Sequence, residues 1–496
     1  MAVLRRGLEG GLSVRDLFDL FFDDELNRFV LERAARRCYV PATRILLEGV
    51  ERYRGVGGGR GFRFSLSVSG VFLEQAGRWV PGVVELFREA ASTGFVEFVE
   101  QTYYHSLAVF LSDWDELIEE VEMHRGLVRD LLGYEPTSIE NTEFIYNNDV
   151  ACLFERLGYR VVLTEGVERV LGWRSPNYVY RPYGCSIRVL TRNYRLSDDV
   201  GYRFSDRNWD QYPLTADKYA AWLAATPGDV VFIAMDYETF GEHHPPETGI
   251  HEFLKWLPGE ILRYPHLNTE TPGRAAYKYP VRDVYDVPSW ATISWADERD
   301  VSAWLGNEYQ RLAFNFYSSL EPYVKALGDS EVLELWRRLG ISDHYYYMAT
   351  KPGSIGEVHA YFSPYKSLAL SFKVLLDALN VLTTIVAEKI SENPEKIAAK
   401  IRLPWDKGFH FYLHYGRPLG VVARSIAELP GLMRNLPAES IAFHLKRGDL
   451  AQWIRSMFYW EELARRLEEL AQMNLSVEEA KRKAIEIIES HVKGTS

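Results

Sequence analysis

Two carboxylates stand where chemistry could be done. Asp236 follows the apolar run Val230 to Met235 and opens the polar stretch Asp-Tyr-Glu-Thr-Phe-Gly-Glu-His-His. A carboxyl that emerges over an apolar floor resists ionisation, which is the property of a general acid. Glu143 sits in Glu140-Asn-Thr-Glu-Phe-Ile-Tyr-Asn-Asn. Donors from Asn141, Thr142, Asn147 and Asn148 would keep it ionised, as a nucleophile requires. Two carboxyls in opposite environments suit glycoside cleavage, where one attacks the anomeric carbon and the other protonates the leaving oxygen. The plainer alternative is capping of a helix near Asn147 and pairing of the Asp236 stretch with arginines.

Other polar and aromatic clusters could line the same cleft. Glu100-Gln-Thr-Tyr-Tyr-His105 follows a predicted strand, and both Glu100 and His105 are candidates to contact a substrate hydroxyl. The segment Trp290 to Trp304 interleaves Trp290, Trp295 and Trp304 with Asp297 and Asp300, giving aromatic platforms beside carboxylates; Trp304 reads equally well as core. Asp343 and His344 precede a run of tyrosines, and His243 follows Glu242. The set Asp236, Glu242, His243 and His244 contains metal-ligating types. Adjacent histidines rarely hold one ion, so neither a metal nor a cofactor is expected. The glycine cluster Gly55 to Gly61 lacks the Lys-Ser/Thr of a phosphate loop.

These residues need strands to carry them to a common mouth. Predicted strands at 62–68, 95–99, 160–164 and 187–191 alternate with helices, and Val230 to Met235 reads as a strand buried on both faces. That rhythm predicts an α/β fold, and several polar strand ends favour a barrel over a doubly wound sheet. After about Pro288 the pattern turns helical, at 297–317, 330–339 and 364–388, and the last ninety residues form a mainly helical module. The expected parts are a barrel over 1–290, a helical domain over 291–390 and a C-terminal module over 405–496.

Composition narrows the partners. The formal net charge of −12 over 496 residues argues against nucleic acid, and aromatic content of 14% suits a flat-ring ligand. The apolar stretch around Val374 to Val386 is interrupted by Asp377 and Asn380, which predicts a core helix and no membrane span. Cys38, Cys152 and Cys185 show no disulfide framework, so reduced thiols are expected. No signal peptide is read at the N-terminus, which makes the cytoplasm the expected location. Scarce glutamine suggests a heat-adapted source. Oligomeric state is not legible.

Taken together, these blocks resemble glycoside hydrolase family 57, particularly its α-amylase-like branch. Met235-Asp-Tyr-Glu-Thr-Phe-Gly-Glu-His243 is similar to the family's acid/base motif, and Asn141-Thr-Glu143 to its nucleophile motif. Glu97 to His105, Ser342 to Met348, Ser69 to Gln75 and Ser294-Trp-Ala-Asp297 also fit, in the family's order. The resemblance implies an incomplete (β/α)7 barrel followed by a helical domain that closes the cleft and an accessory C-terminal module. It also implies retaining cleavage of α-1,4-glucosidic bonds without a metal. In it Glu143 would be the nucleophile and Asp236 the acid/base. An α-glucan or maltooligosaccharide would be the substrate, with 4-α-glucanotransfer by the same site as the alternative. The family's first motif, a His-Gln-Pro at the end of the first strand, has no counterpart. A barrel lacking that strand, and a glucan-binding homologue with impaired catalysis, are the corresponding expectations.

Overall fold

The structure is a computed structural model that describes residues 14–350, 363–365 and 367–494. Its first four helical segments, Val14–Phe21, Asp24–Ala34, the π-turn Ala35–Tyr39 and Val40–Arg52, precede every strand. Asp23 caps the second segment by accepting from the Leu26 N–H.

Among the described residues nine strands follow: β1 (Phe64–Ser67), β2 (Val96–Val99), β3 (Ser138–Glu140), β4 (Val161–Glu165), β5 (Val179–Arg181), β6 (Arg188–Arg192), β7 (Val281–Val284), β8 (Phe409–His414) and β9 (Arg417–Ala423). β1 pairs in parallel with β2, and a parallel bridge from Glu100 to Ile139 carries the pairing on to β3. β3, β4 and β6 continue it in parallel register. Helices 70–79 and 81–92 link β1 to β2, helix 115–132 links β2 to β3, and helix 148–156 links β3 to β4. These are right-sized crossovers for parallel strands. Because the strands run the same way, Glu100, Glu143 and Arg192 lie at or just beyond C-terminal strand ends, and Asp236 follows the run that Arg192 bridges.

At β6 the order divides. Its N-terminal half pairs antiparallel with β5, which pairs with β7, whereas Arg192 at its end bridges in parallel to Phe232. The 230–234 run thus differs from the strand predicted for it. Only Phe232 is bridged, and every residue in the run is half-buried. The reason is one-sided pairing: among the described residues no strand pairs with the opposite edge of this run, nor with the free edge of β1. Side chains do the holding, with Arg192 Nε donating to the Ala234 carbonyl at 2.7 Å and Ser197 Oγ accepting from its N–H at 3.2 Å. The parallel run is not closed into a ring by strand pairing.

One apolar core runs from Leu17 through the strands to Val386, and so crosses from the α/β part into the helices. Helix 368–392 adds Leu375, Leu379, Val381 and Leu382 to it and packs on helix 308–327. A second core gathers 397–488, including the hairpin β8–β9. Ser476 and Glu479 exchange hydrogen bonds, a capping box that opens the helix Val477–Gly494.

The expectation of reduced cysteines is overturned. Cys152 and Cys185 form a disulfide with their Cα atoms 5.6 Å apart, and Cys38 alone is free and buried. The helix 148–156 and the segment entering β6 bring together two residues separated by 33 positions, which chain spacing could not reveal. Closing a loop of that length should stabilise the fold by roughly 3–4 kcal/mol in the chain-entropy account. Denaturant titration of Cys152→Ser beside the oxidised protein should show a loss of that order, and an unchanged midpoint would contradict it.

Candidate active site

Glu143 follows β3 in a tight turn, Thr142–Phe144, with φ of 59° at Glu143 and 52° at Phe144. Two consecutive non-glycine residues in the left-handed region are costly, and such backbone is found where a side chain must be aimed. The segment after β7 fixes the turn: Tyr146 and Ile293 exchange backbone hydrogen bonds, and the Trp295 N–H donates to the Glu143 carbonyl at 3.2 Å. This pairing brings the indole over the carboxylate, where Nε1 donates to Oε2 at 2.7 Å. Ser342 Oγ donates to Oε1 at 3.2 Å, and His105 Nε2 lies 3.4 Å from the same oxygen. Burial alone would push the Glu143 carboxyl up. His105, Trp295 and Ser342 together outweigh it and hold Glu143 below the ordinary glutamate range.

The donors expected from the asparagines are not the ones used. Asn141 Nδ2 donates to the Ile145 carbonyl, Asn147 Nδ2 to Thr292 and Asn148 Nδ2 to Asp286, while Asn147 Oδ1 caps the helix beginning at Asn148. Those residues build the turn around Glu143, and its stabilising partners come from distant parts of the chain.

Asp236 is in the opposite state. Burial, then the charges of Glu238 and Glu143, push its carboxyl up to about 7, against the pull of Arg192 and His105. It lies deep yet is not sealed from solvent. The turn that follows it, Tyr237–Phe240, is gripped by the N-terminal π-turn, where Tyr39 donates to Glu238 and Cys38 Sγ donates to the Tyr237 carbonyl, and just beyond it Glu242 pairs at 2.6 Å with Arg33 of the preceding helix Asp24–Ala34. Gly241 completes the grip, since a Cβ there would stand 2.0 Å from the Arg37 carbonyl.

The remaining sequence candidates divide. His105 is drawn toward Glu143, and Asp343 is exposed beside the same carboxylate and histidine. Asp297 is exposed and shares its electrostatic neighbourhood with Asp198, while Tyr202 senses both Asp236 and Asp297. His243 is held below its ordinary range by burial, against the pull of Glu238 and Glu242. Three candidates fall away from a substrate-contact role in this structure. Glu100 is wholly buried, bound by His124 Nδ1 and by the Tyr159 hydroxyl, because it ties β2 to helix 115–132. His344 bonds the Arg338 carbonyl and is pushed down to about 4 by burial, so it is a neutral packing group. Trp290 is 87% exposed in the turn Ser289–Ala291, with no contact to the Glu143 cluster among the described residues. His244 uses both ring nitrogens on Ser205 and on the Val200 and Gly201 carbonyls, which removes it as a metal ligand. Sequence reading did not single out Ser342, Arg192, Tyr39 or Gln101. The first and last adjoin candidates that it did mark.

The class of protein follows from the match of residues 11–288 to the model described as glycosyl hydrolase family 57. The chain belongs to that family, and it is a glycoside hydrolase or transferase. A Methanocaldococcus jannaschii protein named "Putative alpha-amylase" is 44% identical over 375 residues, covering 73% of this chain and 78% of that one. Among solved structures, the GH57 branching enzyme of Thermococcus kodakaraensis matches with a TM-score of 0.53 at 14% identity, covering 74% of this chain and 90% of that chain. The 4-alpha-glucanotransferase of Thermococcus litoralis matches at 0.50 and 17% identity, covering 68% of this chain and 57% of that chain. These two likenesses are ones of fold.

Trp295→Phe keeps the ring but deletes the donor to Glu143. Loss of a hydrogen bond to a charged group predicts kcat/KM lower by about 10- to 100-fold near neutral pH, with the acid limb of the profile moved upward. An unchanged profile would contradict the part assigned to the indole.

Proposed function

We propose that this protein cleaves α-1,4-glucosidic bonds in α-glucans with retention, Glu143 forming the glycosyl-enzyme and Asp236 serving as acid and then base. The observation that carries this is the divergence of two electrostatically coupled carboxyls, one held below its ordinary range and the other raised to about 7. In the first step the Glu143 carboxylate attacks the anomeric carbon as the Asp236 proton passes to the departing oxygen. In the second, Asp236 takes a proton from water, which displaces Glu143. Trp295, Asp343, Asp297 and His105 stand around this pair as subsite groups, with His243 a support for the acid loop. We read the parallel strands and the 230–234 run as the staves of the family's incomplete barrel, 291–390 as the helical domain closing the cleft, and 405–496 as an accessory module.

Transfer to a second glucan is the companion reading, favoured by the fold shared with a glucanotransferase and a branching enzyme. Both outcomes pass through one glycosyl-enzyme, and sugar hydroxyls compete with water for it. Chromatography of maltotriose products separates them: longer oligomers mean transfer, and glucose with maltose alone means hydrolysis. The open edge beside Phe232 keeps a third reading in view, glucan binding without turnover, which calorimetry paired with the same assay would reveal.

Asp236 must hold its proton and Glu143 must have lost its own. Activity should therefore fall as pH rises through about 7, and also as pH falls below the ordinary glutamate range. Glu143→Gln and Asp236→Asn should each lower kcat on maltooligosaccharides by at least about a thousandfold, judged by reducing-end release. Near-native activity in either variant would sink the assignment.

A further inference from the structure

His105 is surrounded by carboxyls. Glu143, Asp343 and Glu140 all favour its charged form, Asp236 senses its charge, and the ring is drawn up to about 9 although burial opposes this. The hydrogen-bond geometry at its other nitrogen points the opposite way. Gln101 is buried four residues earlier, and one end of its side-chain amide lies 3.2 Å from the Val68 N–H, 3.3 Å from the Ser69 N–H and 2.8 Å from the Ser67 hydroxyl, an environment that calls for the amide oxygen. In the reverse orientation the Gln101 NH2 would face both backbone donors, so these donors fix the amide. Its NH2 then lies 2.9 Å from His105 Nδ1. A proton on Nδ1 would meet a donor with no acceptor, so the lone pair belongs there.

The ring has no freedom to escape this arrangement. His105 sits at φ 51°, its carbonyl accepts from the Ser342 N–H at 3.0 Å, and the next residue bridges to Ile341. We propose that Gln101 is a positioning residue that fixes His105 as the neutral tautomer with its proton on Nε2, aimed at the Glu143 carboxylate. Where amide geometry and carboxyl charge disagree, the geometry prevails, because turning the amide would break bonds to two backbone N–H groups at once. A neutral His105 brings a donor but no cation to Glu143, so the donors of Trp295, Ser342 and His105, rather than an imidazolium charge, are what keep Glu143 ionised and available for attack. Gln101 thereby tunes the nucleophile without touching substrate. Only the kinetic consequence rests on the function proposed above.

Nitrogen-15 NMR of the histidine-labelled full chain at pH 7 tests this, with the His105 signal identified by its loss in His105→Asn. The expected result is one protonated ring nitrogen, Nε2, and one bare nitrogen, Nδ1. Two protonated nitrogens, or a bare Nε2, would overturn the proposal whether or not the protein turns over glucan. In Gln101→Glu a carboxylate accepts from Nδ1, so both nitrogens should become protonated, and kcat should fall about tenfold with KM changed less than about twofold. If that variant does not fold, Gln101→Met serves: without the amide donor, His105 should take up its second proton at a higher pH than in the unaltered protein. No change in that titration would overturn the proposal.

Discussion

A carboxylate taken out of water stays ionised only where donors replace the water it has lost, and that constraint at Glu143 organises much of this protein. Its side chain keeps 14% of its surface exposed. The groups facing it come from three places: His105 beyond β2, Trp295 in the segment after β7, and Ser342 at the start of the helical turn Ser342–Tyr346. No local segment could supply them. The parallel strand order, the backbone pairing of Tyr146 with Ile293 and the bridge from Ser106 to Ile341 are what bring the three together. The main apolar core, running through strands and helices alike, makes the helical part integral to the site.

Asp236 depends on a different kind of support. The run that leads to it has a single strand bridge, so its position is fixed by side chains anchored elsewhere. Buried Arg192 is the chief of these. It binds Glu165 at 2.9 Å and Asp198 at 2.5 Å while its Nε holds the Ala234 carbonyl. Charge-assisted bonds of this sort are strong and directional. From the other side the π-turn Ala35–Tyr39 supplies Tyr39 to Glu238, and the negative charge of Glu238 helps to keep the proton on Asp236. One-turn π-segments recur at functional sites, and here the segment sets the environment of the Asp236 carboxyl.

Much of this was legible in the sequence, and the failures have physical causes. Apolar runs ending in polar clusters located β1, β2, β4 and β6, since hydrophobic periodicity is a local property that survives folding. It misjudged Val230 to Met235, because a run of apolar residues does not say how many neighbours a strand will have. The raised carboxyl of Asp236 was readable from its apolar flank, but the ionised state expected of Glu143 rested on flanking donors that do not serve it. The adjacent asparagines are consumed by the turn, and the true partners are remote in sequence. Glu100 and His344 were marked because polar residues at strand ends attract attention, whereas both are satisfied inside the protein. The Cys152–Cys185 bond escaped for the same reason as Trp295: proximity in space is not written in spacing along the chain.

The most direct measurement of the central claim is covalent trapping on Asp236→Ala with α-maltosyl fluoride. Fluoride leaves without a proton donor, so the first step can proceed, while removal of the base stalls release of the sugar. Mass spectrometry should find one maltosyl group added to the peptide that contains Glu143. An adduct on another residue, or unimpaired glucan cleavage by the variant with no adduct at all, would contradict the account.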